Sequence, residues 1–448
     1  MGTPALISTL LRTTGPTGLL AIVLFAGAST ARAQKSASAL EVDRTRVMLR
    51  SIKEDLKKNY YDPAYHGMDL EARFKTADEK LKTATSVGQL MGIVARVLLD
   101  FDDSHTFFIP PDRADRTEYG WQAQAIGDKC YVVSVKPGSD AEKKGLKAGE
   151  EIVSVDGGGL NRQNMWLFNY LYHALRPRPG MRLEVIKDGK HEQLDVLAKI
   201  QNGKRVMDVS GDDGGDIFDL IREGENESRL HSHRYIELGE DYFVWKMPAF
   251  NLNNDRVDGL ADKFRKRKGL ILDLRGNGGG ALETLLRVLG NLFDHDIKVG
   301  DFKGRKDQKP AVAKTRGSNA FAGKLVVLID SGSGSAAELL ARVVQLEKRG
   351  TVVGDVSAGA VMVARHFSHE TGLDVIVPYG VSITEADMIM ADGKSLERTG
   401  VTPDEIKLPT AADLAAQRDP VLAYAASLLG VTITPEKAGS FFPIEWRK

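Results

Sequence analysis

Two glycine- and serine-rich turns in the second half of the chain do most to constrain how it folds. Leu270–Leu274 leads into Gly276-Asn-Gly-Gly-Gly280, and Leu325–Ile329 leads into Ser331-Gly-Ser-Gly-Ser335. In each case an apolar segment of strand length precedes the turn and a helical pattern follows it. Strand, tight turn and helix in succession are typical of an α/β sheet with helices packed on its faces. The sequence therefore predicts an α/β core over residues 235–448.

Composition narrows the class of protein. The chain has 448 residues, of which 42% are hydrophobic and 27% charged, as in ordinary globular proteins of several domains. Lys plus Arg and Asp plus Glu both number 61, so no net charge favours nucleic acid or an anionic membrane surface. Cys130 is the only cysteine, so no internal disulfide can form and the fold must rest on packing.

The N-terminus has the pattern of a secretory signal peptide. Arg12 precedes an apolar run over residues 19–28, and Ala31-Arg-Ala33 follows as a cleavage pattern. The apolar run is too short to span a bilayer. We therefore expect residues 1–33 to be a signal peptide and the protein to be exported, periplasmic or extracellular, without stable membrane insertion. An uncleaved anchor and a disordered N-terminus with a chance apolar patch are the alternatives.

Three further segments precede the core. Over residues 34–112 apolar residues recur at helical spacing up to Asp100, which predicts an N-terminal helical region. Residues 113–200 contain short strand patterns separated by turn residues. Residues 201–234 are rich in Gly, Asp and Glu and indicate a linker or insertion. The chain as a whole is predicted to be a multidomain α+β protein.

Ser335 stands at the start of a helical run, where a hydroxyl has two alternative roles. The positive end of a helix stabilises developing negative charge, as acyl transfer requires. However, Ser335-x-x-Glu338 also fits a capping box, in which both side chains only satisfy free backbone N–H groups. Taken alone, these residues favour capping over catalysis.

The glycine turn at 276–280 allows backbone N–H groups to approach a ligand closely. A phosphate-binding loop is the rival interpretation, but neither G-x-x-x-x-G-K-[ST] nor the G-x-G-x-x-G spacing is present. No H-E-x-x-H pair or paired cysteines could supply metal ligands. We therefore expect no cofactor, no metal and no nucleic acid partner.

Together, Asp273-Leu-Arg-Gly-Asn-Gly-Gly-Gly280 and the serine turn resemble the tail-specific, or C-terminal processing, family of serine proteases. The resemblance implies a Clp protease/crotonase-like fold for the core, with Ser335 as the nucleophile. It also implies an oxyanion hole made by the N–H of Ala336 and that of Gly278 or Gly279. The expected function is an exported serine endopeptidase that acts through an acyl-enzyme.

The segment Gly145–Gly157 resembles a PDZ domain of the bacterial protease-associated kind, inserted ahead of the core. This resemblance implies that a substrate C-terminus is added as a strand, with its carboxylate captured near Gly120, Trp121 and Gln122. Gln122 is polar where that family usually has an apolar residue. A structural or lid role for this domain is the alternative.

The catalytic base is the point at which the chain departs from the commonest branch of the family. That branch pairs its serine with a lysine, and Ala360 occupies the matching position here. The segment around His105 resembles the one that supplies histidine in the tricorn-like branch, and Glu397 matches the glutamate of that branch. The resemblance thus implies a Ser335, His105, Glu397 triad.

Two acidic residues are weaker candidates for the partner of His105. Glu338 has a simpler role in the capping box, and Asp103 has a simpler role as a solvated loop charge. Because a serine without a base is a poor nucleophile, a second class of function also stays open. In that alternative the protein is a catalytically inactive peptide- or ligand-binding scaffold on the same fold.

Overall fold

The structure is a computed structural model that describes residues 37–113, 115–202, 232–372 and 376–446. The predicted signal peptide and most of the predicted linker lie outside these ranges. In the described part of the chain no helix has both the length and the apolar character needed to cross a membrane.

The elements follow one another along the chain in a mixed order of helices and strands. The helices are α1 Ala39–Asn59, α2 Leu70–Leu81, α3 Val87–Leu99, α4 Asp140–Lys143, α5 Met165–Asn169, α6 Asn254–Phe264, α7 Leu282–Leu292, α8 Ala336–Leu346, α9 Ala411–Ala415, α10 Pro420–Leu428 and α11 Pro435–Gly439. The strands are β1 Phe107–Ile109, β2 Asp115–Glu118, β3 Trp121–Ile126, β4 Lys129–Val135, β5 Glu151–Val155, β6 Gly158–Gly159, β7 Gly180–Lys187, β8 Lys190–Leu197, β9 Lys199–Asn202, β10 Arg234–Leu238, β11 Tyr242–Lys246, β12 Gly269–Asp273, β13 Ile297–Gly304, β14 Ala311–Ala313, β15 Lys324–Ile329, β16 Thr351–Gly354, β17 Met362–Thr371, β18 Val377–Met390 and β19 Glu405–Ile406.

Helices α1 to α3 form the N-terminal part of the described chain. Each begins at a side-chain cap, since Ser38, Asp69 and Ser86 accept hydrogen bonds from the first turns of α1, α2 and α3. Their apolar faces share one buried cluster with residues of β1 and β18, including Phe108 and Val381. The helical region therefore packs directly on the sheet that carries the loop of His105.

Residues 115–202 form a separate β domain. Its antiparallel sheet has the strand order β3-β4-β5-β7-β8, with β6 paired to β5, and β3 lies at one edge. Strands β2 and β9 pair with each other where the chain enters and leaves the domain. The sheet encloses its own core around Val132, Leu183 and Val185. This arrangement is that of a unit inserted into a longer chain.

The predicted α/β core is confirmed. Its sheet has the order β10-β11-β12-β15-β16-β19, and every neighbouring pair is parallel except β10 with β11. Alternate residues of β12 face opposite sides: Leu270 and Leu272 pack with α6, α7 and α8, whereas Ile271 packs with α10. A parallel sheet covered on both faces brings the C-terminal ends of its strands to one edge. The turns after β12 and β15 both lie at that edge.

A second sheet links the N-terminal region to this core. Its order is β1-β18-β13-β14, and β17 also pairs with β18. Because β1 pairs with β18 through Phe107 and Ser382, the loop that precedes β1 is held beside the C-terminal half of the chain. His105 lies in that loop, two residues before β1.

Candidate active site

Ser335 occupies the turn between β15 and α8 in a strained backbone conformation. Its φ of 53° and ψ of −119° are unusual for a residue that carries a side chain. Such conformations persist only where surrounding contacts hold them, and they cluster at functional sites. The Ser335 N–H donates to the carbonyl oxygen of Ala360 at 2.8 Å, which is one of those contacts.

Of the two hydrogen bonds of the predicted capping box, the one to the Glu338 side chain is present and the one to the Ser335 side chain is not. Ser335 and Glu338 have the overall geometry of a capping box, and the Ser335 N–H donates to Glu338 Oε2 at 3.0 Å. The Glu338 N–H, however, donates to the carbonyl oxygen of Ser335 at 2.9 Å, and the Ser335 side chain makes no capping hydrogen bond. The hydroxyl of Ser335 is therefore not consumed by the helix that it precedes.

Glu338 is a buried scaffold for the segment that faces Ser335. Besides Ser335, its carboxylate accepts hydrogen bonds from the Ser357 hydroxyl at 2.5 Å, the Gly359 N–H at 2.8 Å and the Ala360 N–H at 2.9 Å. Burial raises the pKa of Glu338, against the opposing effect of these donors. With its hydrogen bonds directed at this segment and at the Ser335 N–H, Glu338 is poorly suited to orient a histidine.

The three residues expected to form the oxyanion hole differ in their hydrogen bonding. The Gly279 N–H already donates to Asn277 Oδ1 at 2.8 Å. The N–H groups of Gly278 and Ala336 have no acceptor among the described residues, and Gly278 is exposed. A Cβ on Gly279 would lie 2.6 Å from Ser335 Cβ, so only glycine fits there. Gly278 and Ala336 are thus the free donors next to Ser335.

Charged residues in the core fix the base of the glycine turn. Asp273 at the end of β12 is fully buried and pairs with Arg275 and Lys246. Burial alone would raise the pKa of Asp273, but the charges of Arg275 and Lys246 outweigh burial and hold the pKa well below its usual range. Arg275 also donates to both carboxylate oxygens of Asp419, at 2.9 and 2.7 Å. The Asp-Leu-Arg part of the motif is therefore structural.

The loop that carries His105 is anchored by Asp103, which is not a solvated charge. Asp103 Oδ1 accepts from the N–H groups of His105 and Thr106, at 3.0 and 2.7 Å, and from the Thr384 hydroxyl at 2.7 Å. Asp103 Oδ2 accepts from the buried hydroxyl of Tyr60 at 3.0 Å. Asp103 thereby ties the backbone of His105 to Tyr60, which directly follows α1, and to β18.

Glu397 and His105 do not bond each other directly but share Ser104. The Ser104 N–H donates to Glu397 Oε1, and its hydroxyl donates to Oε2, both at 2.8 Å. The same hydroxyl lies 2.7 Å from His105 Nδ1. Glu397 Oε2 also accepts from the Val361 N–H at 2.9 Å. We call the contacts among Glu397, Ser104 and His105 the Ser104 bridge.

The Ser104 bridge selects one tautomer of His105. A hydroxyl has a single proton, and Ser104 donates that proton to the Glu397 carboxylate. His105 Nδ1 must then carry a proton and donate it to Ser104 Oγ. This leaves Nε2 with a free lone pair, which is the form that a general base requires.

Burial lowers the pKa of His105 below its usual 6.5, and the charge of His366 acts in the same direction while that of Asp103 opposes both. Burial also raises the pKa of Glu397, although its hydrogen bonds from Ser104 and Val361 and the charge of Arg398 oppose this. Since burial disfavours the charged form of each group, both shifts follow from the same partial enclosure of the site. His105 is therefore neutral at neutral pH.

Ser335 and His105 are brought into one region without being hydrogen-bonded to each other. Ser335 contacts Ala360, and the next residue, Val361, contacts Glu397, so the link from nucleophile to glutamate is short. The hydrogen bonds of His105 run to Ser104 and Asp103. The Ala360 backbone contacts Ser335, since its carbonyl oxygen accepts the Ser335 N–H.

The residues expected to capture a peptide carboxylate lie at the start of the edge strand β3. Gly120 has a φ of 73°, in the left-handed region that favours glycine. Trp121 is buried and stacks on Phe168, with ring centroids 6.0 Å apart, whereas Gln122 is exposed. Further along β3, the carbonyl oxygen of Ala125 accepts from the Ser331 hydroxyl at 2.5 Å. The open edge of β3 thus ends at the loop that leads to Ser335.

Sequence reasoning missed Ser104. It lies inside the segment that suggested His105, but its role depends on Glu397, 293 residues further along the chain. No spacing rule links the two. Within the described ranges no group of three His, Cys, Asp or Glu side chains could hold a metal ion.

A serine hydroxyl at a helix N-terminus, beside backbone N–H groups without an acceptor among the residues that the structure describes, is an arrangement that acyl-transfer chemistry can use. Residues 244–406 match the family model described as Peptidase family S41. The core of this chain is accordingly similar to peptidase family S41 over these residues, and the predicted resemblance to the C-terminal processing proteases is confirmed.

Two relatives illustrate the similarity in sequence. The chain is 24% identical over 364 residues to the "C-terminal processing peptidase, chloroplastic" of Tetradesmus obliquus, covering 77% of this chain and 73% of the relative. It is 25% identical over 407 residues to the "Carboxy-terminal processing protease CtpA" of Bacillus subtilis, covering 88% and 76%.

Solved structures share the fold. The "Photosystem II D1 C-terminal processing protease" aligns with a TM-score of 0.50 and 19% identity, covering 88% of this chain and 99% of that one. Mature CPAF in complex with lactacystin aligns with a TM-score of 0.61 and 14% identity, covering 87% and 98%. The mixed α/β architecture is therefore that of known S41-type proteases.

Proposed function

We propose that this chain is an exported serine endopeptidase in which Ser335, His105 and Glu397 act together on protein or peptide substrates. The Ser104 bridge carries the proposal, because it supports a His105 tautomer that is protonated on Nδ1 and, in the neutral imidazole, leaves Nε2 to accept a proton. Export is proposed on the pattern of Arg12 and the apolar run over residues 19–28.

In the proposed mechanism His105 Nε2 accepts the proton of Ser335 Oγ as that oxygen attacks the substrate carbonyl carbon. The tetrahedral oxyanion is stabilised by the N–H groups of Gly278 and Ala336 and by the positive end of α8. The imidazolium of His105 then protonates the departing amine, and the C–N bond breaks. Water, activated by His105, then attacks the ester at Ser335 in the same way and releases the substrate's carboxylic acid and the free Ser335 hydroxyl. Catalytic hydrogen bonds often tighten only when substrate is bound, so Ser335 and His105 need not be bonded beforehand.

The pH dependence of kcat/KM follows from the lowered pKa of His105. A protonated imidazole cannot accept the proton of Ser335, so activity is lost as the pH falls through the pKa of His105 in the free enzyme. Because burial lowers that pKa, the midpoint of the acid limb should lie below 6.5. Initial rates at low substrate concentration between about pH 4.5 and 8.5 test this. A midpoint above about 7.5 would point to a different base, such as a lysine.

We further propose that the β domain is PDZ-like and binds substrate C-termini along β3, with the carboxylate near Gly120, Trp121 and Gln122. The position of β3 at a sheet edge supports this, since an edge strand can pair with an added peptide. A substrate with a free C-terminal carboxylate should be cleaved with a higher kcat/KM than the same substrate amidated at its C-terminus. The amidated substrate should have the higher KM and an unchanged kcat. Equal kcat/KM for the two forms would rule out carboxylate capture.

A catalytically inactive scaffold on the same fold is the second candidate. Ala360 at the family's lysine position and the missing hydrogen bond between Ser335 and His105 favour it. A fluorophosphonate separates the two candidates, because an activated serine is phosphonylated and an inactive serine is not. Labelling of the purified protein at Ser335 supports the peptidase, and absence of labelling supports the scaffold.

A further inference from the structure

The His105 loop and the turn that carries Glu397 are joined by a second contact beside the Ser104 bridge. Arg398 Nη2 donates to Asp102 Oδ1 at 2.7 Å, and Arg398 Nε donates to the carbonyl oxygen of Asp102 at 3.2 Å. One guanidinium thus holds both the side chain and the backbone of Asp102. A planar fork of donors fixes orientation as well as distance.

The backbone at both ends of this contact is unusual. Arg398 has a φ of 64° and Asp102 a φ of 53°, both in the left-handed region. Residues with side chains stay in such conformations only where their surroundings hold them. Asp102 lies three residues before His105, and Arg398 directly follows Glu397. The strained positions therefore flank the two residues whose relative placement the mechanism needs.

The backbone of Arg398 also contacts the segment that faces the nucleophile. Its N–H donates to the carbonyl oxygen of Gly359 at 2.8 Å. Gly359 has a φ of 68°, and a Cβ there would lie 3.0 Å from the carbonyl carbon of Arg398. The next residue, Ala360, accepts the N–H of Ser335. Arg398 thus contacts the His105 loop and the Ala360 segment while belonging to the Glu397 turn.

The contact between Arg398 and Asp102 is exposed. The side chain of Arg398 is 41% exposed and that of Asp102 is 89% exposed. Ion pairs of this kind contribute little to folding stability. Their geometry can still matter, because displacing a catalytic group by about 1 Å can cost about 100-fold in rate. An effect on catalysis without an effect on stability is therefore the signature to look for.

We propose that Arg398 is a positioning residue, which clamps Asp102 and so holds the His105 loop on the Glu397 turn. The proposal rests on the proposed roles of Ser335, His105 and Glu397. Arg398 and Asp102 also line a cavity of about 480 Å³, together with Glu397 and Tyr65. This open space allows a small cation to reach the position of the guanidinium when the arginine side chain is removed.

Arg398→Ala should lower kcat by about 10- to 100-fold with little change in KM or in melting temperature. Millimolar guanidinium ion should restore part of the lost kcat in this variant and should not accelerate the wild type. Arg398→Lys keeps the positive charge but lacks the planar fork of donors, so its kcat should lie between those of Arg398→Ala and the wild type. As the control, Arg182→Ala removes an exposed arginine on β7 that pairs with Asp195 on β8. Its kcat should equal that of the wild type and should not respond to guanidinium.

A double-mutant cycle with Asp102→Ala completes the test. If the clamp acts as one unit, the double variant should be no slower than either single variant. Additive losses, or a wild-type kcat in Arg398→Ala, would overturn the clamp while leaving the triad intact. Full activity in His105→Ala would instead overturn the proposed function, whatever Arg398→Ala does. If Arg398→Ala melts at a lower temperature, guanidinium rescue of kcat distinguishes a positioning role of Arg398 from a purely structural one. A purely structural loss would not respond to guanidinium.

Discussion

Ser335→Ala is expected to abolish hydrolysis of an unfolded protein substrate and reaction with a fluorophosphonate, while the protein stays folded. The reason is that the substitution removes the nucleophile but no capping hydrogen bond, since the Ser335 side chain makes none. Both backbone contacts of Ser335, to Ala360 and Glu338, remain available. Rates, labelling and a melting curve measured on the same preparation test the expectation.

Ser38→Ala is the matched control for Ser335→Ala. Ser38 forms a complete capping box with Glu41 at the start of α1, far along the chain from the site. Losing such a cap costs about 0.5–2 kcal/mol of stability. Ser38→Ala should therefore melt earlier and keep its activity, which is the opposite pattern. Near-wild-type turnover by Ser335→Ala would show that Ser335 is not the nucleophile.

His105→Ala is expected to lower kcat/KM by several powers of ten, as removal of a triad member generally does. Without an acceptor for its proton, the Ser335 hydroxyl is a poor nucleophile at neutral pH. Adding Ala360→Lys should not restore activity, because the Ser104 bridge orients a histidine and does nothing for a lysine amine. Steady-state kinetics of the single and double variants test both statements.

His295→Ala serves as the control for the loss of a histidine, because His295 is exposed and lies in the connection between α7 and β13. It should behave as the wild type. If His105→Ala keeps more than about a tenth of the activity, the assignment of Ser335, His105 and Glu397 is wrong. A base must then be sought among the other groups near Ser335.

The helices and strands that are marked by a local sequence pattern could be predicted from the sequence. Helix α8 begins directly after Ser335, as predicted, and β12 and β15 lie within one residue of the predicted strands. These elements combine an apolar segment of the right length with a glycine turn at one end, and both signals act over a few residues. Local chemistry was therefore sufficient to locate the turn that carries Ser335.

The contacts that organise the site could not be predicted, because they join distant parts of the chain. Asp103 owes its role to Tyr60 and Thr384, the second of which is 281 residues away. The choice between Gly278 and Gly279 as a donor depends on where the Asn277 side chain folds. The role of Ser104 follows from the position of Glu397. Such pairings are set by tertiary packing, which leaves no trace in local spacing.

The family match ends at residue 406, but the catalytic module does not end there. Helix α10 buries Val421 and Leu422 against Ile271 of β12, and Asp419 at its start neutralises Arg275 beneath the glycine turn. The C-terminal part of the chain thus supports the glycine turn from below. The end of the family match therefore differs from the end of the packed domain. A shortened or transplanted form of this peptidase has to keep the C-terminal helices.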